Sequence, residues 1–195
     1  MAFFHVISRN LSSPVLQEAI IMYRNRAFML LLSFLLPAGS AIAQAKATAA
    51  MIDSKGKRAG EILFEQHEEG VKVRVHITNL DSGQYAIHIH EFGKCQPPDF
   101  KSAGGHFNPE NKKHGFFNPE GPHAGDLLNF EVSEEGKAEA EMTTNLVTLE
   151  KDAPNSLLKN DGTTVVVHKG ADDYLTDPAG HSGPRVACGI IIDTP

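Results

Sequence analysis

Val71-Lys72-Val73-Arg74-Val75-His76-Ile77 alternates apolar and polar side chains without a break, and Tyr85-Ala86-Ile87-His88-Ile89-His90 follows shortly after it. Strict period-two alternation is the pattern of a half-buried β-strand. The intervening Asp81-Ser82-Gly83 is a turn signal, since Asp and Gly supply the backbone conformations a reversal needs. In the second run Ile87 and Ile89 belong to a core face, which sends His88 and His90 together to the other face. Two imidazoles so placed stand roughly 6.5–7 Å apart at the backbone, close enough to grip one ion.

Further strands extend in both directions. Lys46–Asp53 and Arg58–Gln66 precede these two, separated by the turn Ser54-Lys55-Gly56. Leu127–Ser133 and Lys137–Thr143 follow, joined through Glu134-Glu135-Gly136, and Thr163–His168 and Val186–Ile192 complete the set. Helix signals are nearly absent. Eight strands with turn punctuation predict an all-β, antiparallel sandwich or barrel. No internal repeat or second domain is visible.

Residues 91–126 form a long excursion without regular periodicity, and connections of that length are uncommon unless functional. With its flanking strand this stretch holds His88, His90, His106, His114, His123 and Asp126, and His168 closes a later strand. A lone His-x-His is usually a surface pair, and a lone histidine in a Gly/Pro loop is usually solvated. So many together point instead to metal. His106, His114, His123 and Asp126 offer three nitrogens and one oxygen, a four-coordinate zinc shell, and imidazole also suits copper. Seven candidate ligands fall one short of two four-coordinate sites. Either one site is incomplete or one imidazole serves both, and spacing does not say which. His76 reads as solvated and His67 sits at a turn; His181, in the last loop, could approach the site, though exposure is the better reading, and His5 lies ahead of the leader described next.

From Met22 a secretory leader is legible: Arg24 and Arg26, then the apolar run Phe28–Leu36, then the small-x-small site Ala41-Ile42-Ala43. Residues 22–43 are therefore expected to be a signal peptide and 1–21 an upstream extension of no clear role. Residues 44–195 then form a single domain, with no stable membrane insertion after cleavage. Removing 1–43 takes away Arg9, Arg24, Arg26 and Glu18, leaving 15 basic against 23 acidic side chains, a net charge of −8. Such a balance argues against nucleic acid as a partner. Export also makes a disulfide the default for Cys95 and Cys188. A thiolate metal pair is the competing reading, but the histidines already suffice.

The motifs carry a resemblance. Ile87-His88-Ile89-His90-Glu91-Phe92-Gly93, Ser102-Ala103-Gly104-Gly105-His106-Phe107-Asn108-Pro109, Lys113-His114-Gly115, His123-Ala124-Gly125-Asp126-Leu127, Val167-His168-Lys169 and Gly183-Pro184-Arg185-Val186-Ala187-Cys188-Gly189 occur in the order found in copper–zinc superoxide dismutases. The likeness covers essentially all of 46–193, and Gly104-Gly105 resembles the bacterial exported members. It implies a Greek-key β-barrel with long metal-binding loops. By the resemblance, one copper is held by His88, His90, His106 and His168, and one zinc by His106, His114, His123 and Asp126, with His106 the bridge. It further implies a Cys95–Cys188 disulfide, Asp172 as a link behind the ligands His88 and His114, and Arg185 beside copper as a catalytic partner to His106. The implied reaction converts two superoxide anions and two protons to O₂ and H₂O₂ by copper redox cycling, with zinc structural.

The same resemblance implies antioxidant defence in the periplasm, with general secretion as the alternative, and it leaves a monomer and a homodimer both open. A non-catalytic exported copper/zinc binding protein on the same scaffold is the other functional reading. It has no need of Arg185. A chain at −8 repels superoxide on average, so a local positive patch is expected, built from Arg185, the metals and Lys169. Asp172, Asp173 and Asp177 oppose that patch except where they bond inward.

Overall fold

The structure is a computed structural model and describes residues 44–194. The expected extension and leader, 1–43, lie outside the described residues. The described elements are nine strands: β1 Lys46–Asp53, β2 Arg58–His67, β3 Gly70–Thr78, β4 Gly83–His90, β5 Phe130–Val132, β6 Lys137–Thr144, β7 Thr164–His168, β8 Arg185–Ile190 and β9 Ile192–Thr194. One short 3₁₀ turn, Lys101–Ala103, lies in the long metal loop.

All ladders are antiparallel, in the order β5-β4-β7-β8-β1-β2-β3-β6, with β9 on β1. The two ends of this path, β5 and β6, are consecutive in the chain and joined by a tight turn. In that turn Ser133 N–H donates to Lys137 O at 2.8 Å and Gly136 N–H to Ser133 O at 2.9 Å. The result is a nearly closed antiparallel barrel in which β9 continues the line of β8.

The alternation that marks the sequence reappears as burial. Val71, Val73, Val75 and Ile77 are at most 1% exposed and join Ile62, Phe64, Ile87, Ile89, Val165 and Val167 in the core. Burying each such side chain contributes roughly 1.5–3 kcal/mol relative to leaving it in water. The other face of β4 differs from an ordinary outer face, because His88 and His90 are also fully buried. The long loop folds over them. A second, smaller apolar cluster of Phe100, Ala103, Val166 and Cys188 lies under that loop.

Two strand readings need correction. The expected last strand, Val186–Ile192, is broken at Ile191, whose N–H donates to Thr163 O at 3.0 Å in line with the β7–β8 register. Ile191 itself is buried, and β9 then runs along the opposite end of β1. The expected strand Leu127–Ser133 shrinks to Phe130–Val132. There Asn129 N–H donates to the Tyr174 hydroxyl at 2.7 Å, not to a neighbouring strand.

Candidate metal centre

Backbone pairing sets the site. Past its last strand neighbours the long loop returns to β4 through isolated bridges His88 to Asp126 and His90 to His106. Phe107 N–H donates to Ile89 O, Ile89 N–H to Gly125 O and Gly125 N–H to Phe107 O, each at 2.8 Å. A Cβ at position 125 would lie 2.3 Å from Ile89 O, so only glycine lets the loop come this close. This three-way tie brings His106 and Asp126 opposite the two histidines of β4, while β7 pairs along β4 and delivers His168.

His88, His90, His106 and His168 each bring one nitrogen within 4.8 Å of the others. The second nitrogen of each ring is already engaged. His88 Nε2 lies 2.8 Å from Asp172 Oδ2, His90 Nδ1 3.0 Å from Gly104 O, His168 Nδ1 3.2 Å from Gly183 O and His106 Nδ1 2.9 Å from Asp126 Oδ1. The converging atoms include His88 Nδ1 and His106 Nε2, which are buried without a hydrogen-bond partner among the described residues. Orphaned imidazole nitrogens in a dry site are costly unless something takes their lone pairs. Burial holds His90 well below its ordinary pKa. Burial and the neighbouring imidazoles bring His168 down to about 3 and His106 to about 4. These rings are thus neutral near pH 7, the state that binds a metal.

The second set closes around Asp126 Oδ1. His106 Nδ1, His114 Nδ1 and His123 Nδ1 lie 2.9, 3.0 and 3.4 Å from it, and His123 Nδ1 lies 3.4 Å from His106 Nδ1. A tetrahedron with 2.0–2.1 Å zinc–ligand bonds has edges of about 3.3–3.4 Å, so these four atoms fit one zinc ion. His88 also lies near this group, but its Nε2 belongs to Asp172 and its Nδ1 to the first set. Asp126 Oδ2 is held by the N–H groups of Gly115 at 2.8 Å and His123 at 3.0 Å. Burial pushes the Asp126 carboxyl up, but the His106, His114 and His123 rings outweigh it and keep it far below the carboxylate range. Burial likewise pushes His114 down, yet Asp126 and Asp172 together raise it to about 9.

A family model described as copper/zinc superoxide dismutase (SODC) matches residues 58–191. The chain belongs to the copper/zinc superoxide dismutase family. Superoxide dismutase Cu-Zn 1 of Aquifex aeolicus is 48% identical over 147 residues, covering 75% of this chain and 87% of that protein. The Cu-Zn superoxide dismutase of Caulobacter vibrioides is 40% identical, over 74% and 84% respectively. Among solved structures, a SOD-like protein from Bacillus subtilis superposes with a TM-score of 0.72 at 41% identity, covering 74% of this chain and 97% of that one. With the geometry above, this family member carries both metal sites. Copper belongs to His88, His90, His106 and His168, and zinc to His106, His114, His123 and Asp126. The bridge that spacing left open is His106, the one residue facing both sets.

Around this centre the loop residues are placed as follows. Asp172 is buried between the sets, with Oδ2 on His88 and Oδ1 2.9 Å from His114 Nε2. Gly180 leaves room for it, because a Cβ there would lie 1.7 Å from Asp172 Oδ1. Cys95 and Cys188 are bonded, with Cα atoms 5.7 Å apart. Arg185 is half-buried and donates from Nη1 to Phe100 O at 2.8 Å and from Nη2 to Gly104 O at 2.7 Å. Gly104 O therefore serves both the arginine and His90. A cleft of about 300 Å³ opens beside these groups, with His168, Arg185, His181 and Ser182 among its lining residues.

The expected positive patch needs one correction. Lys169 does not line that cleft; its ammonium pairs with Asp81 at 2.8 Å. Asp172 and Asp177 bond inward, whereas Asp173 is exposed and bonds within its own turn. Asp177 Oδ1 accepts from His114 N–H at 2.9 Å, and Asp173 Oδ1 accepts from the N–H groups of Leu175 and Thr176. From the sequence His181 reads as exposed, with an approach to the site as the alternative. It is exposed, yet it stands at the cleft, a placement set by the path of 169–184 that no local pattern encodes.

Proposed function

We infer that this protein dismutates superoxide, and that the side chains around its two metals divide the work. The observation that carries the reading is that seven residues fill eight ligand positions through His106. Nearly every remaining ring nitrogen is already taken by a carbonyl or carboxylate. Copper, when bound, supplies the one-electron couple through which one superoxide is oxidised to O₂ and a second, with two protons, becomes H₂O₂.

The chain's own residues do the rest. Hydrogen bonds behind a metal ligand fix its tautomer and orientation, which is the role we assign to Asp172 on His88 and His114 and to Gly104 O on His90. His106 Nε2 is the atom at which a proton is held for delivery. Arg185 attracts and orients the anion. Two of its donors go to the Phe100 and Gly104 carbonyls, and a guanidinium has five. The Cys95–Cys188 bond ties the loop bearing those carbonyls to the strand bearing Arg185.

Arg185 separates a catalyst from a metal carrier, since it stays protonated and ligates nothing. In the metal-loaded protein Arg185→Ala should keep copper and zinc content and cut superoxide consumption by roughly tenfold or more, a loss of about 1.4 kcal/mol in transition-state stabilisation. Arg185→Lys should fall between, keeping charge without the planar fork. Full activity in Arg185→Ala at normal metal content would remove the role.

The working location we propose is the periplasm, supported by the leader pattern of residues 22–43 and by bacterial relatives. The intact mass of exported protein should begin at Gln44. A homodimer is the assembly we attach to the exposed Phe116, Phe117, Leu128 and Leu175 beside the zinc loop. Sedimentation at micromolar concentration should give twice the chain mass, and a monomer would remove the assignment.

A further inference from the structure

Asp172 faces one ligand of each set, His88 and His114, and what aims its carboxylate lies outside both sets. Tyr174 N–H donates to Asp172 Oδ1 at 2.7 Å, the same oxygen that faces His114 Nε2. The Asn129 side chain clips the main chain of Asp172. Its Oδ1 accepts from Asp172 N–H and its Nδ2 donates to Asp172 O, both at 2.9 Å. Asn129 N–H in turn donates to the Tyr174 hydroxyl at 2.7 Å. Asp172, Asn129 and Tyr174 thus form a ring of hydrogen bonds, and the phenol is the link that closes it.

Tyr174 also fastens the zinc loop. Its carbonyl accepts from Phe117 N–H at 2.9 Å and lies against Gly115, where a Cβ would collide with it. Gly115 directly follows the ligand His114. The half-buried Tyr174 ring packs on Phe116 and Phe117, with centroids 5.8 and 5.7 Å away. Tyr174 makes all these contacts from left-handed backbone at φ 61, a conformation in which a bulky side chain is strained. Such strain persists only where the surroundings over-determine it. Here the surroundings are the Asp172 carboxylate, the zinc loop and the residue that leads into β5.

We propose that Tyr174 is a positioning residue for the zinc set. Its amide and hydroxyl hold the Asp172 carboxylate on His114, and its carbonyl and ring hold the loop bearing His114 against that carboxylate. His88 stands on β4 and keeps its place without this help, so the copper set depends on Tyr174 less. The proposal rests on the metal assignment and not on turnover, so its test reads metal binding.

Zinc affinity is measured in the full chain by competition with a chromogenic chelator, with metal counts before and after. Cobalt(II) then replaces zinc as a probe whose visible absorption reports the geometry of its ligands. Tyr174→Phe keeps the ring and removes only the hydroxyl. It should weaken zinc about tenfold, the low end for loss of a group behind a ligand, change the cobalt spectrum, and weaken copper less than zinc. Asp172→Ala should weaken zinc further. In that background no carboxylate remains to be aimed, so adding Tyr174→Phe should change zinc affinity less than about twofold, whereas a general loss of loop stability would add in full. Phe117→Leu, which thins the same aromatic cluster and leaves the three-residue ring intact, should keep wild-type zinc affinity. Equal zinc losses from Tyr174→Phe with and without the Asp172 carboxylate would overturn the positioning role. So would an unchanged cobalt spectrum in Tyr174→Phe, or a tenfold zinc loss in Phe117→Leu, which would reduce Tyr174 to packing.

Discussion

Four imidazoles meet at the copper position with no carboxylate among them, whereas at the zinc position three imidazoles close around Asp126 Oδ1. Three of the copper ligands, His88, His90 and His168, stand on β4 and β7, whereas every zinc ligand comes from the long loop. The electrostatics divide the same way. Burial drives the copper-side rings toward neutrality, to about 3 for His168 and about 4 for His106. Asp126 and Asp172 instead raise His114 to about 9. The barrel thus presents a rigid, uncharged nitrogen set to a redox metal beside an open cleft. A buried anionic set fastens the loop that supplies His106. Zinc has no redox chemistry, so its place in the closed, loop-built set agrees with a holding role.

The sharpest way to break this division is to loosen the loop. The disulfide closes a separation of 93 residues, for which the chain-entropy model gives about 4–5 kcal/mol as an upper figure. Cys188→Ser should lower the melting temperature by roughly 10 °C. It should weaken copper more than zinc, because Arg185 and Gly104 border the copper set. Calorimetry with metal counts checks both. Unchanged melting, or free thiols in the native protein, would contradict the tether.

Asp126→Ala tests the division from the zinc side. It removes a charged ligand, so zinc affinity should fall by more than the roughly 10–100-fold seen when a group behind a ligand is lost. Copper should stay, held through His88, His90 and His168 with only His106 disturbed. Loss of both metals to the same degree would show that the two sets are not separable.

Acidity gives a smaller effect in the metal-free protein. Above pH 6.5 the copper-side rings are neutral whether the chain is folded or not. As pH falls below that, the unfolded chain takes protons that folded His106 refuses until about pH 4 and His168 until about 3. Each ring then lowers stability by on the order of 1 kcal/mol per pH unit. His114 has the opposite sign. Its contribution is complete below pH 6.5 and is lost as pH rises through about 9. Urea unfolding should therefore show greatest stability near neutral pH, and a metal-free protein that strengthens from pH 6.5 to 4.5 would contradict the division.

The two sets also differ in how far the sequence announces them. Val71–Ile77 and Tyr85–His90 place β3 and β4 by alternation alone, and His88-x-His90 follows because period two puts both rings on one face. The zinc ligands stand out by composition and motif, but no periodicity joins residues 106, 114, 123 and 126. Their meeting depends on the close approach of Gly125 to Ile89. The pairings of Lys169 with Asp81 and His181 with Asp173 were not legible at all, nor was the break at Ile191. Each is decided by the path of a loop or strand end across the barrel, where short-range signals stop.

The central claim is that copper at His88, His90, His106 and His168 makes this chain a catalyst. It is tested most directly by superoxide decay, followed after pulsed generation, in protein carrying counted metals. Protein with one copper and one zinc should remove superoxide catalytically, through many turnovers per copper and in proportion to copper content. The same protein with zinc in both positions should leave the spontaneous decay unchanged. Copper-loaded protein that binds its metal at these histidines, yet consumes no more superoxide than it has copper ions, would contradict the claim and leave a metal-binding protein in its place.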